Sequence, residues 1–245
     1  MRHSVPQEVL TIVTTLEDAG FEAYLVGGCT RDLLRNKIPK DWDLTSNATP
    51  EEIQGLFPDS FYENDFGTVG VKTESENPTL KVIEVTPYRI ESTYSNARHP
   101  DEVTFSKNLT DDLQRRDFTM NAIAYNPIRD ELRDPYKGAE DIRLKRIITV
   151  GEPADRFEED ALRMVRAIRL AAELNFTIES KTAAAIATYA EHIKKVSKER
   201  VRDELIRIIA SDTPMQALFF AQRLGLMDYI IPELKDGIGC EQNQA

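Results

Sequence analysis

The chain's 245 residues suffice for one large domain or two smaller ones, and its 30% charged and 41% apolar composition is that of a globular protein and excludes a disordered one. No apolar run reaches the length of a membrane span, MRHSVPQE lacks a signal peptide's apolar core, and two cysteines (Cys29, Cys240) with three scattered histidines (His3, His99, His192) make neither a disulfide framework nor a zinc site; a cytoplasmic protein without membrane contact is expected. A net charge of −11 speaks against a polyanionic partner, although basic residues gather at Arg143, Lys145 and Arg146 and again at Lys194, Lys195, Lys198, Arg200 and Arg202.

Pro6 to Ala19 carries Val9, Ile12, Val13 and Leu16 at helical spacing, and Gly20 can stop that helix. Ala23 to Val26 reads as a first strand that delivers Gly27 and Gly28 to a short helix over Thr30 to Leu34. Glycine lets the backbone approach a ligand closely, and a helix N-terminus offers unpaired N–H groups, so this turn outlines a phosphate site. Asp41-Trp42-Asp43 reads as the start of a second strand. Residues two apart on a strand share a face, so both carboxylates aim at the phosphates. Hard oxygen ligands of this kind suit Mg²⁺ shared with substrate phosphates, and the stretch points to metal-assisted phosphoryl or nucleotidyl transfer. Taken singly, a GG pair is usually a turn and a DxD usually a solvated loop; the combination in this order is far more specific.

Thr49, Pro50 and Glu52 form a helix start, with a helix ending before Pro58. Thr68 to Lys72 and Leu80 to Thr86 read as strands. Glu84 lies among apolar neighbours in the second, either as a third acid beside Asp41 and Asp43 or as a residue on an exposed sheet face. Tyr88 to Pro100 is polar and aperiodic, a mobile surface loop. Leu109 to Arg116 is helical. Arg115 and Arg116 at its end are multi-donor cations suited to a triphosphate, or partners in a helix-end ion pair with Asp111 or Asp112. Ile128 to Asp130 makes a hairpin-like turn, and the strand-rich part stops at Ile142.

From Ala154 the pattern is helical. Glu158 to Leu174 reads as one helix with Ala161, Val165, Ile168 and Ala172 on one face. Asp160, Arg163 and Arg166 step by three on another, with Arg169 further round. A solvent-facing salt-bridge ladder would produce that spacing. So would base reading: cytosine and adenine both present an amino donor beside a ring-nitrogen acceptor, which a carboxylate and a guanidinium match, whereas guanine and uracil present a carbonyl to the carboxylate. Ala183 to Ile193, Lys198 to Ser211 and Met215 to Leu224 are further helices, the last capped by Gly225. No internal repeat is present.

GG-x-x-RD from Gly27 followed by Asp41-Trp42-Asp43 is similar to the nucleotidyltransferase superfamily, and within it resembles the class II tRNA nucleotidyltransferase (CCA-adding) and bacterial poly(A) polymerase family. RRDFTMNAIA (Arg115 to Ala124), DPYKGAEDI (Asp134 to Ile142), EDALR (Glu159 to Arg163) and SKERVRDELIRII (Ser197 to Ile209) resemble that family's further motifs. The resemblance covers roughly Phe21 to Gly225.

It implies an α+β nucleotidyltransferase head, a small mixed sheet with helices, over 1–142. An all-α neck over 143–211 then recognises the base, and a helical body starts over 212–245, where the chain looks truncated. The implied reaction is template-independent addition of C and A to the tRNA 3′ end from CTP and ATP. Asp41 and Asp43 would hold Mg²⁺, with Glu84 as a third catalytic acid. Gly28, Arg31 and Arg116 would hold phosphates, and Asp160 and Arg163, with Arg166 and Arg169, would read the nucleotide. In such enzymes a flexible loop in the region of Tyr88 to Pro100 is linked to the switch from C to A. The implied partners are the tRNA 3′ end, CTP and ATP, with no membrane and no inferable protein partner. An A-adding enzyme or poly(A) polymerase would keep the same catalytic residues; a catalytically idle RNA-binding module is the reading from another class.

Overall fold

A computed structural model of the chain describes residues 4–62, 67–91 and 103–237. The chain forms two compact units, the first ending at Leu144 and the second starting at Lys145.

In the first unit, helix α1 (Gln7–Asp18) starts after Pro6, buries Val9, Ile12, Val13 and Leu16, and gives way at Gly20, whose φ is +89°. Strand β1 (Ala23–Val26) is buried along its whole length and runs into helix α2 (Gly28–Leu34). Strand β2 (Asp43–Ser46) is followed by helix α3 (Pro50–Leu56), started by a capping box in which Thr49 Oγ1 accepts from the Glu52 N–H and the Glu52 carboxylate accepts from the Thr49 N–H. Then come β3 (Ser60–Tyr62), β4 (Val69–Lys72), β5 (Val82–Pro87), β6 (Arg89–Glu91) and β7 (Val103–Phe105). Helix α4 (Leu109–Gln114), capped by the Asn108 side chain, leads through a 3₁₀ turn at Thr119–Asn121 to the hairpin β8 (Ala124–Asn126) and β9 (Glu131–Arg133), with Asp130 at φ +51° in its turn. Helix α5 (Gly138–Arg143) closes the unit.

Seven of these strands make one sheet in the order β3-β4-β5-β2-β1-β8-β9. All neighbours are antiparallel except β2 and β5, which are parallel. Leu25, Leu44, Val69, Ile83 and Val85 pack from this sheet against the buried faces of α1 and α3. The result is the α+β head with a small mixed sheet.

The second unit begins with β10 (Arg146–Ile147), α6 (Pro153–Glu159), α7 (Leu162–Leu174) and β11 (Thr177–Ile178), which pairs parallel with β10. Helix α8 (Ser180–Tyr189), a 3₁₀ segment Ala190–Lys195, α9 (Lys198–Ile209), α10 (Pro214–Arg223), α11 (Met227–Ile230) and a 3₁₀ segment Pro232–Gly237 follow.

Four sequence expectations change. Strand β2 starts at Asp43, so Asp41 and Trp42 precede the ladder. Residues 88–91 are not loop: Tyr88 is fully buried and Arg89–Glu91 pairs with β7, because the Tyr88 hydroxyl donates to Glu22 while its ring fills the interior. The remainder of that expected loop, 92–100, lies outside the described residues. The helix expected over Glu158 to Leu174 is broken at Asp160, whose φ of −147° and ψ of 103° are extended. Finally, the unit read as all helical carries the β10–β11 pair. Two-residue ladders leave no periodicity in a sequence, and the break at Asp160 is made by a side-chain cap that helical spacing does not encode.

Candidate active site

The first group of candidate residues collects where β1, β2 and β5 meet the glycine turn. Leu25 pairs with Leu44 in the antiparallel β1–β2 ladder, which brings the start of β2 to the end of β1. Asp43 therefore comes to lie at the turn. Gly27 has φ +72°, a conformation that glycine adopts without strain. A Cβ added there would sit 3.4 Å from Arg116 Nη1 and 3.5 Å from Asp43 Oδ2, so the missing side chain leaves a small cradle between a cation and an anion.

In the parallel β2–β5 ladder Asp43 stands opposite Glu84. Residues so paired point to the same face, which puts Glu84 on the Asp43 side of the sheet, exposed. Trp42 is buried and anchors the approach to β2, while Asp41 on its other side is exposed.

Burial raises the Asp43 carboxyl above the usual aspartate range; Arg116 pulls it back and Asp41 pushes it further up. A partly desolvated carboxylate with a second acid two residues away fits a cation. Among the described residues no three His, Cys, Asp or Glu side chains are placed to hold an ion by themselves. A pair of carboxylates is what a metal ion requires when the remaining ligands are substrate phosphates and water.

Two arginines flank the turn. Arg31 donates from Nε and Nη2 to Asp32 at 3.0 and 3.1 Å and from Nη1 to Asn121 Oδ1 at 3.1 Å. Asn121 in turn donates to Asp117 Oδ1 at 3.0 Å. Gly28 is the first residue of α2, and a Cβ on it would lie 3.7 Å from Arg31 Nη2. Arg116 donates from Nη2 to the fully buried Asp112 at 2.8 Å, and its buried Nε has no hydrogen-bond partner among the described residues. The ion pair with Asp112 and the approach to Asp43 thus coexist in one guanidinium.

Sequence reasoning passed over Cys29. Its Sγ donates to the Val26 carbonyl at 3.0 Å and lies 3.6 Å from the Asp43 carbonyl, tying the glycine turn to the start of β2. Burial, then the charge on Asp43, pushes this thiol up to about 11, so it is an inert neutral donor. A lone cysteine inside GG-x-x-RD carries no sequence signal for that role.

The second group of candidates lies in the second unit. Asp160 follows the last residue of α6, and its Oδ1 accepts from the Leu162 N–H at 3.0 Å, which opens α7. Its Oδ2 accepts from Arg200 Nη2 of α9 at 2.7 Å. Arg163, only 8% exposed, donates from Nη1 to Glu159 and to the Arg156 carbonyl. The alternative reading of Asp160, Arg163 and Arg166 as a solvent-facing ladder does not hold among the described residues: Asp160 pairs with α9 and Arg163 with α6. Arg166 Nη1 is 3.9 Å from Glu204, and Arg169, 3% exposed, bonds Glu204 and Glu173. Arg169 thus sits in a buried ion cluster joining α7 and α9, not beside Asp160. The Asp160–Arg200 and Arg169–Glu204 partners, about forty and thirty-five residues apart, could not be read from local spacing.

Residues 23–148 match the Poly A polymerase head domain family, and residues 175–238 match the family described as a probable RNA- and SrmB-binding site of polymerase A. A CCA-adding enzyme of Lactobacillus helveticus is 45% identical over 202 residues, which are 82% of this chain and 49% of that protein. The crystal structure of the Bacillus stearothermophilus CCA-adding enzyme in complex with CTP superposes with a TM-score of 0.83 at 37% identity, over 91% of this chain and 53% of the other. That of a tRNA nucleotidyltransferase complexed with a primer tRNA and an incoming ATP analog gives 0.74 at 25% identity, over 95% and 64%. The chain spans about half the length of the curated relatives it matches. Two strands held in parallel register with their acids opposite, a glycine cradle between Arg116 and Asp43, and a family match that begins at β1 converge: this chain belongs to the poly(A) polymerase head-domain family, that of the class II tRNA nucleotidyltransferases and bacterial poly(A) polymerases.

Proposed function

We propose that this chain carries the catalytic and nucleotide-selecting part of an enzyme that adds C and A to the 3′ end of tRNA from CTP and ATP, releasing pyrophosphate. The observation that carries the reading is the meeting of Asp43, Gly27 and Arg116 at the end of β1, with Asp41 two residues ahead of Asp43 and Glu84 opposite it in the ladder. Family membership implies a divalent metal ion, and Mg²⁺ is the ion we assign to Asp41 and Asp43. Bound there, it would lower the pKa of the primer 3′-hydroxyl and offset charge on the leaving pyrophosphate. Glu84 adds negative potential on the same face. Gly28 with the opening N–H groups of α2, Arg31 and Arg116 hold the phosphates, so the protein contributes position and electrostatics to the transfer.

Base selection is assigned to Asp160 and Arg163. Asp160 accepts the amino hydrogen common to cytosine and adenine, and Arg163 donates to the adjacent ring nitrogen. Both are already held in place, Asp160 by Arg200 and Arg163 by Glu159, which suits a rigid template. Arg166 and Arg169 extend the assigned nucleotide site, Arg169 acting through the packing of α7 on α9. The relatives named CCA-adding enzymes support C and A over A alone, and the intact EDALR speaks against a strict poly(A) polymerase. A cytoplasmic setting fits this substrate, and among the described residues no helix is long and apolar enough to cross a membrane. Incubation with labelled CTP or ATP, Mg²⁺ and tRNA lacking its 3′ end tests the reading: incorporation that stops after C, C and A supports it. A folded protein that incorporates neither nucleotide refutes it.

A further inference from the structure

We infer that Asp112 is a positioning residue for nucleotide binding, a buried counter-charge that sets Arg116 in place before the triphosphate arrives; the inference rests on the nucleotidyl-transfer reading above. Asp112 has no exposed surface, and a carboxylate in that state needs compensation by charge and hydrogen bonds. It receives both from the two residues that follow one turn later. Oδ1 accepts from Arg115 Nε at 3.0 Å and Nη2 at 2.6 Å, and Oδ2 accepts from Arg116 Nη2 at 2.8 Å. Adjacent arginines leave a helix end about 100° apart, and only a residue three and four positions earlier faces both.

The pairing fixes what Arg116 can do. With Nη2 on Asp112, Nη1 lies at the Gly27 cradle, and among the described residues the buried Nε meets no acceptor. The three charges sum to one surplus positive charge. Without Asp112 the two guanidiniums would repel one another, and Arg116 would regain the rotamer freedom of a long side chain, to be lost again whenever a nucleotide bound. Nothing about Asp112 requires contact with the substrate: it acts through Arg116.

The test is a double-mutant cycle on nucleotide affinity with Asp112→Asn, Arg116→Ala and the pair, in the full chain. Asp112→Asn should raise KM for CTP and ATP alike, by about tenfold, leave kcat and the primer KM within about twofold, and add nothing once Arg116 is alanine. Binding of inorganic pyrophosphate with Mg²⁺, followed calorimetrically, should weaken in parallel and needs no turnover. A penalty for Asp112→Asn as large in the Arg116→Ala background as in the wild type overturns the proposal, as does unchanged nucleotide KM with a lowered melting temperature. Should Asp112→Asn not fold, Asp112→Glu, which keeps the charge, must hold nucleotide KM within about threefold of wild type; a folded Glu variant as weak as Arg116→Ala is equally contradictory. Absence of extension by the wild type itself defeats the functional reading instead, and pyrophosphate binding still decides the role of Asp112.

Discussion

Asp43 stands in tension between stability and chemistry. Burial raises its pKa, so the folded protein binds that proton more tightly than the unfolded chain. Stability from this group therefore falls as pH rises from the ordinary aspartate range through the raised value, and the deficit remains at neutral pH. Asp43→Asn should raise the melting temperature at pH 7 and abolish incorporation, as should Asp41→Ala for activity alone; a double variant that folds and turns over at the wild-type rate would remove the metal site from the mechanism. Glu84→Gln should cause a partial loss. Asp112 has the opposite sign. Burial alone would raise it, but Arg116 and Arg115 hold it below the usual range, so its contribution to stability is present above the ordinary aspartate pKa and is lost as pH falls through the depressed one. In acid titrations followed by circular dichroism, Asp112→Asn should flatten the low-pH limb of unfolding. Arg116→Ala should weaken all nucleoside triphosphates equally, because phosphate contacts carry no base identity; a changed ratio of C to A use would assign Arg116 elsewhere. At this scale type and spacing singled out Asp41 and Asp43, while Glu84 stayed open between two readings and Arg116 was chosen over Arg115 only by the family resemblance. It could not name Cys29, whose two carbonyl contacts come from the backbone of separate strands, nor choose between Asp111 and Asp112 as the ion-pair partner.

The elements that position these residues divide by how local their causes are. α1, β1, α3 and α10 follow from apolar spacing, a capping box and terminal glycines, and they lie within a residue or two of where those signals put them. β3, β6, β10 and β11 do not, since strands of two or three residues depend on their partners rather than on a pattern. The break between α6 and α7 is the most consequential of these. Asp160 ends one helix, caps the next and takes Arg200 from α9, so Asp160→Ala removes a cap and a partner together. If Asp160 reads the base, that variant should lose about 1–3 kcal/mol of transition-state stabilisation with both CTP and ATP and misincorporate UTP or GTP more often. Unchanged discrimination among four nucleotides would leave Asp160 as a helix cap only. Arg169→Ala should instead cost roughly 3–5 kcal/mol of stability by stranding Glu204 between α7 and α9, measurable by urea unfolding. A loss under about 1 kcal/mol would mean that the cluster is solvated.

For the whole molecule, the order of head then mostly helical unit was readable because every strand of the seven-stranded sheet precedes Ile142, whereas helical spacing dominates after Pro153. Reach along an RNA was not, since the chain spans about half the length of its curated relatives and its net charge of −11 gives no general attraction for a polyanion. Specificity should therefore reside in the nucleotide site rather than in the strength of RNA binding, and a short primer ending in the tRNA acceptor sequence should suffice. The most direct measurement is the sequence of the 3′ ends formed when such a primer, lacking its last three nucleotides, is incubated with Mg²⁺ and all four nucleoside triphosphates together. The expected products end in C, C, A and go no further, with none formed by Asp41→Ala. A run of A, indiscriminate addition of all four nucleotides, or no addition by the folded wild-type chain would contradict it.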